Sequence, residues 1–258
     1  MVAGPDGVGR REAGLALFAG VLAAAIPGSL MAMSPRPAFK FTEFIRRNAA
    51  LDADGFLKHW QDVRAPLLLE LPGLKGLAFN RVIPGRSPDA AFDGVVEMWF
   101  TSEAAYRDAF DSAEAGLLRS LAEDYPRFAA GAAMGFTTSE IPVINRAKSV
   151  PRGTAKRMGL VGRHPGTREA AFFREWMEHA GDAADQPGLV EYLLNFRTGL
   201  RLPSMAFDGY AEMWWADWEA FEGARQAIRP TLGKRLAFFD AHELLYVEEY
   251  MAREPVLG

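Results

Sequence analysis

The residues able to do acid–base chemistry are few, and they fall at matched places. His179 lies three residues after Trp176 and seven after Phe172, so the three share one face of a helix. A half-buried imidazole in that position transfers protons near neutral pH. The alternative is a core histidine satisfied by a backbone group. Glu97 lies between Val95 and Trp99, and Glu212 between Tyr210 and Trp214, on strand-like runs. A carboxyl on such a face is costly unless it is paired or protonated. It is therefore either a general acid or base, or half of a structural pair with Arg47 or Arg163. Asn80 and Asn195 hold matching positions, suited to orient a carbonyl or to secure a loop. The candidate catalytic set is His179, Glu212 and Asn195. Trp176, Tyr192, Tyr210 and Trp214 are the candidate aromatic lining, with Arg163, Arg64 and Glu97 as candidate polar contacts.

The chain that must position these groups has 258 residues, 49% of them hydrophobic and 12% aromatic, the make-up of a packed globular protein. It contains no cysteine, which excludes disulfide scaffolds, thiol catalysis, Cys-ligated zinc and covalent c-type haem. A net charge of −4 carries no electrostatic footprint for nucleic acid. The histidines at 59, 164, 179 and 242 have no metal-ligand spacing, and no phosphate-binding glycine loop or nucleophile elbow is present. The expected cofactors and metals are none. The expected partner is a small hydrophobic or aromatic ligand.

Residues 1–32 read as an export signal. Arg10-Arg11 precede an apolar run over 15–26, followed by Pro27, Gly28, Ser29 and small residues. The run is too short for a membrane helix, and its paired arginines resemble a twin-arginine signal. This predicts a periplasmic or secreted product without a membrane span. Translation from Met31 or Met33 would instead give a cytoplasmic one.

The rest is one unit written twice. Residues 72–100 and 187–215 align at a constant offset of 115 with thirteen identities in 29 columns, where chance gives roughly two. Upstream, Arg47, Phe56 and Trp60 match Arg163, Phe172 and Trp176 at an offset of 116. One residue is therefore missing from the second copy after Trp176. The repeats span 38–147 and 155–253, with a Pro/Gly-containing junction between them. Each predicts strand, helix, strand, strand, helix, strand. In the first copy the strands are 41–46, 74–82, 95–100 and 135–141; in the second, 157–162, 189–197, 210–215 and 244–250. The βαββαβ order is the ferredoxin-like unit. Its third strands offer side chains to both faces, so each sheet needs a partner layer. The simplest partner is the other repeat. The expected fold class is α+β, two ferredoxin-like repeats forming a pseudo-dimeric α+β barrel.

Ile45-Arg46-Arg47, then Phe56 and His59-Trp60, then Pro72-Gly73-Leu74, then Phe92-Asp93-Gly94 with Glu97 and Trp99-Phe100, resemble the EthD (ethyl tert-butyl ether degradation) domain family. The second copy resembles it through Arg163, Phe172, Trp176, His179-Ala180, Pro187-Gly188-Leu189 and Phe207-Asp208-Gly209 with Glu212 and Trp214. The resemblance implies a dimeric α+β barrel whose pairing is internal here, with further oligomerisation open. It implies small-molecule catabolism, by cofactor-independent oxygenation, decarboxylation or cyclisation/isomerisation. A non-catalytic binder of hydrophobic ligands and a structural role are the alternatives. The family's helix histidine, four residues after Trp and followed by Ala-Pro, is replaced in the first copy by Arg64-Ala65-Pro66. In the second copy His179 lies three residues after Trp176, without the proline. The second copy is therefore expected to hold the better site.

Overall fold

The structure is a computed structural model that describes residues 39–145, 151–202, 205–232 and 239–256. The proposed signal over 1–32 lies outside them. The first half runs β1 (Phe39–Ile45), α1 (Ala53–His59), a π turn (Trp60–Arg64), α2 (Ala65–Leu69), β2 (Gly76–Val82), β3 (Gly94–Phe100), α3 (Glu103–Asp111), α4 (Ala115–Phe128) and β4 (Met134–Ile144). The second runs β5 (Ala155–Arg163), α5 (Glu169–Ala183), β6 (Leu189–Arg201), β7 (Gly209–Trp215), α6 (Trp218–Leu232) and β8 (Phe239–Arg253).

The strands are antiparallel and close into one barrel in the order β1-β3-β2-β8-β5-β7-β6-β4. Each half supplies four strands. The halves join at two seams, β2 to β8 and β4 to β6. The two sheets therefore meet edge to edge rather than merely facing, and closure leaves no unpaired edge.

Alternation along each strand sorts side chains into two environments. Phe41 and Ile45 point outward and pack with Phe56 and Trp60 of the first helix. Phe44, Val95, Met158, Leu160, Tyr210 and Leu245 form a separate apolar cluster inside the barrel. On the outer side of the second half, Trp176, Phe172 and Phe196 pack with Met213 and Trp215.

The helices hold most of the sequence expectations and alter two, both in the first half: the second helix is split into α3 and α4, and the first contains a π turn. Asp52 caps α1 by accepting from the Gly55 N–H at 2.7 Å. Phe56 and Trp60 pack on Phe79, the indole at 4.6 Å. In α5, Trp176 packs on Phe196 at 4.7 Å. The one-residue change of offset after Trp60 and Trp176 falls where the first half has an irregularity. There the helix widens into a π turn, and the Ala65 N–H bonds back to the Trp60 carbonyl. An extra residue inside a helix is absorbed this way without breaking it.

The Phe-Asp-Gly motif has a packing reason. A Cβ on Gly209 would lie 2.4 Å from the Asn195 carbonyl oxygen and 2.7 Å from the Trp176 ring. Neither backbone nor indole can yield easily. Gly209→Ala is expected to cost about 1–3 kcal/mol or more by urea unfolding; an unchanged midpoint would show that α5 moves freely on the sheet.

Candidate active site

The polar residues of the barrel interior form a closed ring of charge. Lys40 Nζ bonds Glu97 at 2.7 Å and Glu212 at 2.8 Å. Lys156 Nζ bonds the same two carboxylates at 3.1 and 2.7 Å. Lys40 and Glu97 come from the first half, Lys156 and Glu212 from the second, at the repeat offsets of 116 and 115. Glu140 joins Lys40 at 3.0 Å and Glu249 joins Lys156 at 2.8 Å. Asn80 donates to Glu97 at 3.0 Å, and Asn195 to Glu212 at 2.8 Å. Lys40 lies over Trp99 and Lys156 over Trp214, at 4.6 and 4.5 Å from the ring centroids. Tyr210 departs from the pattern, standing where the first half has Val95. Its hydroxyl donates to Glu97 at 2.8 Å and meets Thr42 Oγ1 at 2.7 Å.

Glu97, Glu212 and Glu249 lie close enough together to ligate a cation, but the ammonium of Lys156 already bonds all three. The expected structural pairing of Glu97 and Glu212 with Arg47 and Arg163 is corrected: their partners are Lys40 and Lys156. Arg47 instead binds Asp93, and the Arg163 backbone N–H donates to Asp208 at 3.0 Å. The aspartate of each Phe-Asp-Gly thus anchors the end of the first strand. The two lysines carried a sequence signal, their equal spacing before Arg47 and Arg163. Starting the strands at 41 and 157 placed both just outside.

Burial pushes the Glu97 carboxyl up, but Lys156 and Lys40 overcome it and hold it well below the usual carboxylate range. Glu212 goes the other way, raised by burial and by Glu97 against the pull of the lysines. The signs on stability differ. Glu97, depressed when folded, stabilises fully above its unfolded value and loses that as pH falls through the lower folded one. Glu212, raised when folded, stabilises below its unfolded value and loses that as pH rises through the higher folded one. At pH 7 Glu97→Gln is therefore expected to lower the urea midpoint more than Glu212→Gln. The Glu97→Gln deficit should narrow only in strong acid. Equal, pH-independent losses would refute the assignment.

His179 is not in this ring. It belongs to α5, on the outer side of the sheet, where its ring meets Phe239 edge-on at 6.4 Å. Glu212 and Asn195 point into the barrel. The expected set of His179, Glu212 and Asn195 does not converge, because the β6–β7 sheet stands between its members. The aromatic lining divides the same way, with Tyr210 and Trp214 inside and Trp176 and Tyr192 outside. Arg163 lines an open polar groove at the rim with His164, Arg168, Arg201 and Asp240.

The outer clefts of the two halves differ in their floors. Along the first, Glu43 pairs across to Val96 and Val96 to Phe79. Arg64 neither faces water nor waits for an anion. It is buried, donates to the Leu121 carbonyl at 2.8 Å, and lies 5.3 Å from the Phe128 ring. It also counters the upward push of burial on Glu43. The matching row of the second half is Gly159, Ala211 and Leu194. A Cβ on Gly159 would meet only Leu244, at 3.5 Å. The side chains of the first floor are thus replaced by smaller ones in the second, and Leu194 and Ala211 pack with Trp176 and Phe172. Arg157, His242 and Tyr246, which the sequence did not single out as a site, border this second floor. Burial, Arg157 and His179 together push the His242 imidazole down, so these three groups lie within electrostatic reach.

A closed antiparallel barrel with helices packed outside it is the architecture of the dimeric α+β barrel proteins, and the comparisons agree. The chain carries an EthD domain, matched over residues 48–132. Among solved structures, a candidate monooxygenase of Fusobacterium nucleatum subsp. nucleatum is similar at 9% identity. That likeness covers 87% of this chain and 98% of that one, with a TM-score of 0.57. An anthrone oxidase-like protein is similar at 13% identity, covering 86% and 95%, with a TM-score of 0.56. At these identities the likeness is one of fold. Among curated proteins none matches the sequence.

Proposed function

We propose that the protein is an enzyme acting on a small apolar or aromatic molecule in the outer cleft of its second half, with His179 transferring the proton. The observation that carries this reading is the change to smaller side chains on the sheet under α5. Gly159, Ala211 and Leu194 replace Glu43, Val96 and Phe79 beneath the helix that presents Trp176 and His179. Apolar walls with a few polar groups are the usual make-up of a small-molecule site. The EthD domain and the oxidase-type names of the fold neighbours favour catalysis over passive binding. The reaction is oxygenation, decarboxylation or cyclisation/isomerisation, each of which begins at an acidic C–H, O–H or carboxyl group. No cofactor is assigned. Glu212, Asn195, Glu97, Tyr210 and Trp214 are read as the barrel's polar core, and Arg163 as a rim anchor.

The halves are read as ferredoxin-like repeats of one ancestral unit, 38–147 and 155–253, whose pairing is now internal. The duplicated lysine–glutamate ring supports this. Among the described residues no helix is long and apolar enough to cross a membrane. Residues 1–32 are read as a twin-arginine signal and the product as periplasmic; N-terminal sequencing of the native protein tests that directly, and an intact Met31 or Met33 start would refute it. The enzymatic reading is tested by turnover of His179→Ala. Lost turnover with retained ligand binding supports it, and unchanged turnover removes His179 from the chemistry.

A further inference from the structure

Arg157 is a cation set into the outer face of the barrel with no anion beside it among the described residues. It sits in a row across four strands: Tyr246 of β8, Arg157 of β5, Met213 of β7 and Tyr192 of β6. Its guanidinium lies 5.5 Å from the Trp215 ring centroid, and Nη2 approaches the Met213 sulfur at 2.7 Å. Its Nε is shielded from solvent and has no hydrogen-bond partner. The indole N–H of the neighbouring Trp215 is likewise buried and unmet. No carboxylate among the described residues pairs with Arg157. Burial pulls its guanidinium below the ordinary value, and only the phenols of Tyr246 and Tyr192 oppose that pull.

The first half shows what a balanced version looks like. Phe41 stands in the place of Arg157, and the acid one pleat further on, Glu43, has Arg64 beside it. In the second half that acid is Gly159, so the cation was gained where the carboxylate is absent. Arg157 is half-buried, so an unpaired charge there costs part of the full desolvation penalty, and the buried, unmet Nε and the Trp215 indole add to it. Both are relieved by an anionic oxygen that reaches the guanidinium beside Gly159, where a Cβ would meet only Leu244, at 3.5 Å.

We propose that Arg157 is the anion-recognition residue of the second cleft, and that its substrate is an aromatic molecule bearing an anionic oxygen, a carboxylate or an ionised phenol. Arg157 donates to that oxygen, Tyr192 and Tyr246 flank it, and the small Gly159 and Ala211 lie next to it on the sheet. Charge-assisted hydrogen bonds to a planar oxyanion are what a guanidinium does best. This rests on reading the second cleft as the substrate site.

The test uses the whole protein, with binding of benzoate, 4-nitrophenolate and neutral benzamide followed by calorimetry and tryptophan fluorescence. At least one anion should bind about tenfold or more tighter than benzamide, and which one does so tells carboxylate from phenolate. Arg157→Met should erase the preference, and Arg157→Lys should keep part of it. The ligand-free Arg157→Met protein should melt no lower than wild type, since an unpaired, desolvated charge has been removed. Equal binding of all three probes, binding of none, or a preference that survives Arg157→Met would overturn the proposal. So would a strong loss of stability in ligand-free Arg157→Met, which marks a structural cation. None of these readouts uses turnover, so the anion site stands or falls separately from the role of His179.

Discussion

Lys40→Met is expected to destabilise the protein by about 3–5 kcal/mol, or to prevent folding. The methionine fills the space of the lysine stem, so the loss is electrostatic rather than a cavity. Removing the ammonium leaves Glu97, Glu212 and Glu140 facing one another, each of them fully or almost fully buried. Only Lys156 then remains to compensate Glu97 and Glu212. Total stabilities of globular proteins are about 5–15 kcal/mol, so this one ring commands a large share. Lys156→Met should behave alike, because it bonds the same two carboxylates and Glu249 besides. Urea unfolding of the single mutants and of Lys40→Met combined with Glu97→Gln provides a direct check. The double mutant should lose less than the sum of the singles, since the carboxylate no longer needs its counter-ion. Strict additivity would mean that the ring does not act as a unit.

His179→Ala is expected to lower kcat by about 10²–10⁴, the usual worth of a positioned proton-transfer group. KM should change little. On the proposed reading the apolar walls and Arg157 hold the ligand, and they do not depend on the imidazole. Stability should also change modestly, because His179 is only half-buried on a helix whose packing rests on Phe172, Trp176 and Ala180. A fall in kcat with folding and binding intact separates proton transfer from packing. A rise in KM with kcat unchanged would instead make His179 a binding residue. A protein that binds aromatic ligands without turning over any of them would be the hydrophobic-ligand carrier that the sequence left open.

Much of the fold was legible in the sequence. The four-residue spacing of Phe56 and Trp60, matched by Phe172 and Trp176, marked the first helix of each half. Strand alternation placed Val95, Glu97 and Trp99 on one face. The site was less legible. Helical periodicity put His179 toward the sheet, correctly, and strand alternation put Glu212 on a sheet face, also correctly. Neither said that the two faces were opposite ones. Arg64 read as a polar contact for substrate where the family's histidine is replaced, whereas the structure makes it a buried cation beside Glu43 and Asp124.

The features readable from the chain alone were local or repeated: the order of elements, the duplication, and the residues that take one side of each helix or strand. These follow from backbone geometry, which is the same in every chain. Which face of each sheet became the inside was settled only by closure of the barrel. That depends on the seams β2–β8 and β4–β6, each between strands of different halves, and no short-range spacing records such a pairing. Once the barrel closes, Lys40 meets Glu212 and Lys156 meets Glu97, His179 is left on the far side of the sheet, and Arg157 is left near a glycine with no acid beside it among the described residues. For the charged groups the cause is desolvation after closure, when a charge must find its partner across the fold or wait for one from outside.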